Sequence, residues 1–154
     1  MNRIESFRIN HLNLDSGLYV SRKDFKDNVC VTTFDLRVTA PNKEPVIDMP
    51  ALHTIEHLGA TFLRNSDCKE DIVYFGPMGC RTGFYFLTTG MTHGEALKLT
   101  QEALAFIEVF EGEVPGVSAV ECGNYRDHDL EGAKKEAADQ KEVLKNWTTA
   151  DMIY

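Results

Sequence analysis

The sequence predicts an α+β fold: a largely antiparallel β-sheet packed with about three to four helices, as a single domain over residues 1–154. Three observations lead there. Segments with the two-residue alternation of strands follow one another through turns rather than through helical crossovers. Segments with helical spacing are interspersed among them. No repeat, low-complexity tract or Pro/Gly/Ser linker divides the chain.

The elements follow in order. Over 28–39, NVCVTTFDLRVT, Cys30, Thr32, Phe34, Leu36 and Val38 point one way and Thr33, Asp35 and Arg37 the other. That is a half-buried strand, ended by Ala40-Pro41-Asn42. Turns around Pro45 and Pro50 lead into a helix over 51–64, where Leu52, Ile55, Gly59 and Phe62 make one apolar stripe. A short strand over 71–75 reaches the turn Gly76-Pro77-Met78-Gly79, and a second strand covers 83–89. Thr92-His93-Gly94-Glu95 matches a capping box. Behind it Ala96, Leu99, Ala103, Ile107 and Phe110 predict a helix to about Glu111, broken by Gly112 and Pro115. Residues 117–121 read as a strand, and 130–147 as an amphipathic helix through Leu130, Ala133, Ala137, Leu144 and Trp147.

Composition bounds the partners. With 43% hydrophobic residues over 154 positions the chain can support a core, and it is too apolar for a disordered tail. A net charge of −8 argues against nucleic acid and anionic membranes, which want basic patches. The sequence shows no secretory leader and no apolar run able to span a bilayer. Its four cysteines, Cys30, Cys68, Cys80 and Cys122, form no CxxC pair and no disulfide framework. A cytoplasmic protein with reduced thiols is expected. Each thiol is then a small buried hydrophobe, a metal ligand or a nucleophile.

The informative stretch is His53-Thr54-Ile55-Glu56-His57. On a helix His53 and His57 lie about 40° apart, one turn along the same face, with Glu56 on the flank. Two imidazoles so placed can bind one ion, and the carboxylate beside them can move protons. A third protein ligand is needed, and Cys122, Cys80, His11, His93, His128 and a downstream glutamate are all candidates. Cys122 precedes Gly123, which lets the backbone turn close to an ion; Cys80 precedes Arg81, a cation that favours a thiolate. These residues permit two enzyme classes. One is a metallopeptidase of the inverted HxxEH kind, completed by Glu121 or Glu131. The other uses the metal as a Lewis acid on a carbonyl, with Glu56 and a thiolate shuttling protons. The second gives the cysteines a role, and the first is normally built from much longer chains.

Seven blocks in order carry a resemblance. They are Glu5-Ser6-Phe7 with His11; Phe34-Asp35-Leu36-Arg37; Pro41-Asn42-Lys43; His53 to His57; Gly76-Pro77-Met78-Gly79-Cys80-Arg81-Thr82-Gly83-Phe84-Tyr85; Cys122-Gly123; and His128-Asp129-Leu130-Glu131-Gly132-Ala133. Over about residues 3–135 the chain resembles the LuxS family, the S-ribosylhomocysteine lyases that make the autoinducer-2 precursor. The resemblance implies a homodimer with two sites at its interface, each holding Fe²⁺ that Zn²⁺ or Co²⁺ can replace. It implies His53, His57 and Cys122 as metal ligands, Glu56 and Cys80 as the catalytic pair, and Ser6, His11 and Arg37 at the substrate. His93 reads as a helix-start residue and His128 as the lead-in to the last helix, neither with chemistry.

The implied reaction explains the residue types. The carbonyl of the opened ribose moves from C1 to C2 to C3, and the C5 thioether then leaves by β-elimination, giving homocysteine and 4,5-dihydroxypentane-2,3-dione. Each step removes a proton beside a carbonyl. A thiolate at Cys80, held charged by Arg81 and the metal, suits that task, and Glu56 can relay protons between oxygens. One departure stands out: the family usually has Asp-Ile-Ser where this chain has Tyr74-Phe75-Gly76. The expected consequence is altered substrate affinity with the activity retained.

Overall fold

The alternating segment becomes the second of four strands. In a computed structural model, which describes residues 2, 4 and 7–154, β1 (Gly17–Lys26), β2 (Val29–Arg37), β3 (Ile72–Pro77) and β4 (Gly83–Thr89) form one antiparallel sheet in the order β1-β2-β4-β3. The helices are α1 (Met49–Arg64), α2 (His93–Glu108) and α3 (Leu130–Leu144), with a short 3₁₀ turn, Lys69–Asp71, before β3. This is the α+β architecture expected, with three helices.

Register follows the apolar pattern. Phe34 pairs with Phe86 and Leu36 with Phe84, and this side of the sheet packs on Leu52, Ile55 and Leu58 of α1 in a single core cluster. Burying several side chains of this size at roughly 1.5–3 kcal/mol each is what holds helices and sheet together. The α1 stripe contains Gly59 for a steric reason: a Cβ there would lie 2.6 Å from the Phe75 ring, so β3 approaches the helix closely only at glycine. The capping box at α2 forms as expected, with the Thr92 hydroxyl accepting from Glu95 N–H and the Glu95 carboxylate accepting from Thr92 N–H. Among the described residues, no helix is long and apolar enough to cross a membrane.

Three expectations are corrected. Residues 117–121 are not a strand: the segment is a run of turns, in which Ser118 O accepts from both Glu121 N–H and Cys122 N–H and the Ser118 hydroxyl bonds the Glu121 carboxylate. Val120 is 97% exposed, so the β-branched pattern there had no face to bury. The last helix ends at Leu144, not 147, and Trp147 sits beyond it, donating from Nε1 to Leu18 O. Finally, the polar side of β2 does not face solvent: Asp35 and Arg37 are 1% and 2% exposed. On the side away from α1 Tyr154 Oη donates to Asp35 Oδ2, in a segment tied to β1 where Val20 N–H donates to Met152 O. The strand β1 had no sequence expectation, because its outer half is mostly exposed and polar and lacks a clean alternation.

Candidate metal centre and thiolate site

Two groups of functional side chains emerge. The first is built on α1, whose apolar stripe faces the sheet and so turns His53 and His57 toward the loop between α2 and α3. That loop grips both rings. His53 Nδ1 donates to Asp127 O at 2.9 Å and His57 Nδ1 to Pro115 O at 2.7 Å. Gly116, at φ +76°, is required beside the second contact: a Cβ there would lie 3.3 Å from His57 Nδ1. The same loop delivers Cys122, whose Sγ is 3.4 Å from His53 Nε2 and accepts from Asn124 N–H.

His128, given no chemistry in the sequence, joins this group. Its ring stacks on His53 at 4.0 Å and meets His57 edge-on at 4.8 Å. The Thr54 hydroxyl spends its hydrogen on Pro50 O and already accepts from Asp129 N–H. The 3.1 Å contact between Thr54 and His128 therefore needs Nδ1–H of the histidine as donor. All three imidazoles thus carry Nδ1–H and leave Nε2 a lone pair, the tautomer of a metal ligand. Burial, with the neighbouring His53 and His57, holds the His128 ring below its ordinary pKa, so it stays neutral. Its Nε2 is buried with no hydrogen-bond partner.

One ligand atom from each of His53, His57, His128 and Cys122 lies within 4.8 Å of the others. Soft sulfur and three neutral imidazoles suit Fe²⁺, Zn²⁺ or Co²⁺ rather than a hard cation. The His53 and His57 rings are perpendicular, at 88°, and one ligand atom of each lies within 4.8 Å of Cys122 Sγ. His128 stacks on His53 at 22°, and its ligand atom lies within the same 4.8 Å group. In the sequence His128 opens one of the seven blocks and follows Cys122-Gly123 by five residues, too loose a spacing to choose it as a ligand over His11 or His93. Glu121 and Glu131, the distal carboxylates a metallopeptidase would need, are not in the group. Glu56 lies half-buried on the flank of α1 and makes no hydrogen bond or ion pair among the described residues.

The second group lies on the other side of the sheet. Arg37 extends from the β2 face opposite Phe34 and Leu36. Its Nη1 donates to Thr82 Oγ1 at 2.5 Å and lies 3.9 Å from Cys80 Sγ, while its Nη2 donates to Asp35 Oδ2 at 2.5 Å. Cys80 Sγ is 3.1 Å from Thr82 Oγ1 and is exposed at the β3–β4 turn. Burial acts to raise the thiol's pKa, but hydrogen bonds from Thr82 and the Arg37 charge outweigh it and hold the thiol below its ordinary value. The cation beside Cys80 is therefore Arg37 and not Arg81, as adjacency had suggested. Arg81 sits at φ +61° to close the turn, with its N–H on Met78 O and its carbonyl accepting from Ile47 N–H.

The remaining expected residues are separate. His11 is half-buried and its Nδ1 bonds Ile9 O, with no contact to either group. Ser6 lies outside the described residues. Tyr74, 47% exposed on the outer sheet face, leans along β3 so that its Oη stands where a side chain of Gly76 would start, 2.0 Å from an added Cβ. Tyr74 and Gly76 thus depend on each other. Among the described residues no contact joins Cys80 or Arg37 to the His/Cys group; the sheet and its core lie between them.

Comparison with known proteins places this geometry. The LuxS family profile, described as S-ribosylhomocysteinase (LuxS), matches residues 4–151. A curated "S-ribosylhomocysteine lyase" of Finegoldia magna is 52% identical over 100% of this chain and 99% of its own length. One of Clostridium acetobutylicum is 55% identical over 84% of each chain, and one of Porphyromonas gingivalis 50% over 100% and 99%.

Proposed function

Because the chain belongs to the LuxS family, we propose that it is a carbon–sulfur lyase cleaving the thioether of S-ribosylhomocysteine to homocysteine and 4,5-dihydroxypentane-2,3-dione. The observation that carries this reading is the folding of Cys122 onto the HxxEH pair in a chain matched by that family over 4–151. His53, His57 and Cys122 hold the metal, read as Fe²⁺ with Zn²⁺ or Co²⁺ as substitutes. When bound, the ion supplies Lewis-acid polarisation of a substrate oxygen. His128, fixed by Thr54, packs the His53 ring in place and leaves an unpartnered Nε2 beside the open position.

Proton movement falls to Cys80 and Glu56. A thiol held below its ordinary pKa by Thr82 and Arg37 ionises more readily, and as thiolate it can take the proton next to the substrate carbonyl. Twice that proton returns to the neighbouring carbon as the carbonyl moves one position along. In the third step the pair of the broken C4–H bond becomes the C4=C5 double bond, while the C5–S bond breaks and its pair leaves on sulfur as the homocysteine thiolate. Glu56, free of other partners, moves protons between the oxygens. Arg37 and, by the family resemblance, Ser6 and His11 bind the substrate.

The separation of the two groups supports a homodimer with sites at its interface. Cys80 and Arg37 stand on the outer sheet face and the His/Cys group beyond α1, so one copy does not unite them, whereas a second copy against the outer face can. That face carries a cavity of about 310 Å³ lined by Ser21, Thr33, Tyr74, Tyr85 and Leu87. Its apolar residues Val73 and Tyr74 are exposed. Reduced thiols fit a cytoplasmic enzyme, acting in methionine metabolism and autoinducer synthesis for quorum sensing.

Anaerobically purified protein should bind about one Fe²⁺ per subunit, as three donors and an open position imply, and release homocysteine detectable with a thiol reagent. Retained turnover in Cys80→Ala or Glu56→Gln would sink the mechanism. Full metal occupancy in Cys122→Ala would move the third ligand elsewhere.

A further inference from the structure

The Asp35–Arg37 pair has a third member that the reaction does not use. Tyr154 Oη donates to Asp35 Oδ2 at 2.6 Å, the same oxygen that accepts from Arg37 Nη2. From Arg37 the contacts continue through Nη1 to Thr82 Oγ1 and Cys80 Sγ. We propose that the Tyr154 hydroxyl is a positioning residue for the Cys80 thiolate, acting through the Asp35 carboxylate and the Arg37 guanidinium.

The chain of contacts is held rather than incidental. Met152, 1% exposed, anchors the returning segment in the core, and its carbonyl bonds Val20 N–H at 2.9 Å. The Tyr154 ring stacks on Tyr19 at 5.1 Å, and Tyr19 meets Trp147 edge-on at 5.7 Å. The phenol thus arrives at Asp35 on a rigid aromatic support. Burial, with the Asp35 charge next, pushes Tyr154 ionisation far above its ordinary range, so the hydroxyl remains a donor at every working pH.

Two consequences follow for Cys80. A buried carboxylate has few ways to settle its orientation, and here Oδ1 has no partner at all. A second donor on Oδ2 fixes its rotation, and with it the plane of the guanidinium that faces Thr82 and Cys80. The same donor also neutralises part of the Asp35 charge. Arg37 is then less cancelled by Asp35, and more of its field reaches the thiolate. Since Arg37 Nε is also buried and unpartnered among the described residues, Asp35 on Nη2 and Thr82 on Nη1 are what orient the guanidinium.

The proposal rests on Cys80 being the base only for its catalytic meaning, so the test reads the thiol directly. The metal-loaded protein is treated with iodoacetamide across a pH series, and alkylation is followed on the Cys80 peptide by mass spectrometry. Tyr154→Phe keeps the stacked ring and removes only the hydroxyl. Its alkylation midpoint should rise by about half a pH unit, with the rate at neutral pH falling about threefold. Asp35→Asn should move the midpoint down, because the charge that cancels Arg37 is gone. General loosening of the site would move both variants the same way, and that result overturns the proposal. So does a Tyr154→Phe profile that superimposes on the unaltered protein. Turnover of S-ribosylhomocysteine by the same proteins reports separately on the base assignment, so failure of one leaves the other readable.

Discussion

The His/Cys group and the Cys80–Arg37 group solve opposite problems with different means. At the first, the loop after α2 uses backbone carbonyls, Pro115 O and Asp127 O, to fix two imidazole tautomers. In the neutral rings this leaves each Nε2 with a lone pair for a cation. At the second, the sheet buries a full ion pair and spends it on one neighbouring sulfur. Imidazoles and a thiol gathered by a loop suit a cation, whereas a buried arginine stabilises a negative charge. The proposed Lewis acid and thiolate base need these two environments, and among the described residues no contact joins them.

Substitutions can break that contrast, and the largest effect expected is at Cys80. Cys80→Ala should cut turnover by roughly 10²–10⁴-fold or more while metal content, measured by elemental analysis, stays at wild-type level. Cys122→Ala should do the reverse in order of cause, losing the metal first. Equal metal loss in both variants would merge the two groups into one. Next comes Arg37→Met, which leaves Asp35 buried without its partner. It should cost about 3–5 kcal/mol in chemical denaturation, since an uncompensated buried charge remains. Its Cys80 alkylation profile should also shift upward in pH, because the charge that lowers the thiol has gone. The sign is fixed: the acid limb of turnover sits below the ordinary thiol range in the intact protein and moves toward it in the variant.

A smaller effect is expected at His128. If it packs His53 rather than serving as an equal ligand, His128→Ala should weaken metal affinity by about 10–100-fold, the usual cost of losing an outer partner, in a chelator competition titration. His53→Ala should abolish binding in the same assay. Comparable losses would make His128 a fourth ligand. The smallest effect belongs to Gly116→Ala, where a positive φ and the 3.3 Å approach to His57 predict about 1 kcal/mol of destabilisation and a modest loss of metal affinity.

Legibility in the sequence followed the range of the interaction. The α1 stripe, the Thr92 capping box and the inward side of β2 all depend on periodicity within one element, and each formed as expected. The HxxEH pair was readable for the same reason. The short segment at 117–121 was misread because three β-branched or apolar residues look alike in a strand and in a run of turns; only the pull of Cys122 toward His53 distinguishes them. His128 and Arg37 were harder. One becomes part of the metal group through Thr54 on another element, and the other reaches Cys80 across two strands, so no local spacing marks either.

By itself, then, the sequence determined the α+β class, the face of α1 that offers two imidazoles, and the chemistry that seven ordered blocks imply. The first two are properties of side-chain periodicity and residue type, which act over a few positions; the third is what the family resemblance implies. Tertiary structure alone decided which cation lowers Cys80, which histidine joins the His/Cys group, and that Asp35 and Arg37 are buried, with Tyr154 on Asp35. Each of those depends on contacts between segments far apart in the chain, where burial sets the strength of a charge and a single carbonyl sets the tautomer of a ring.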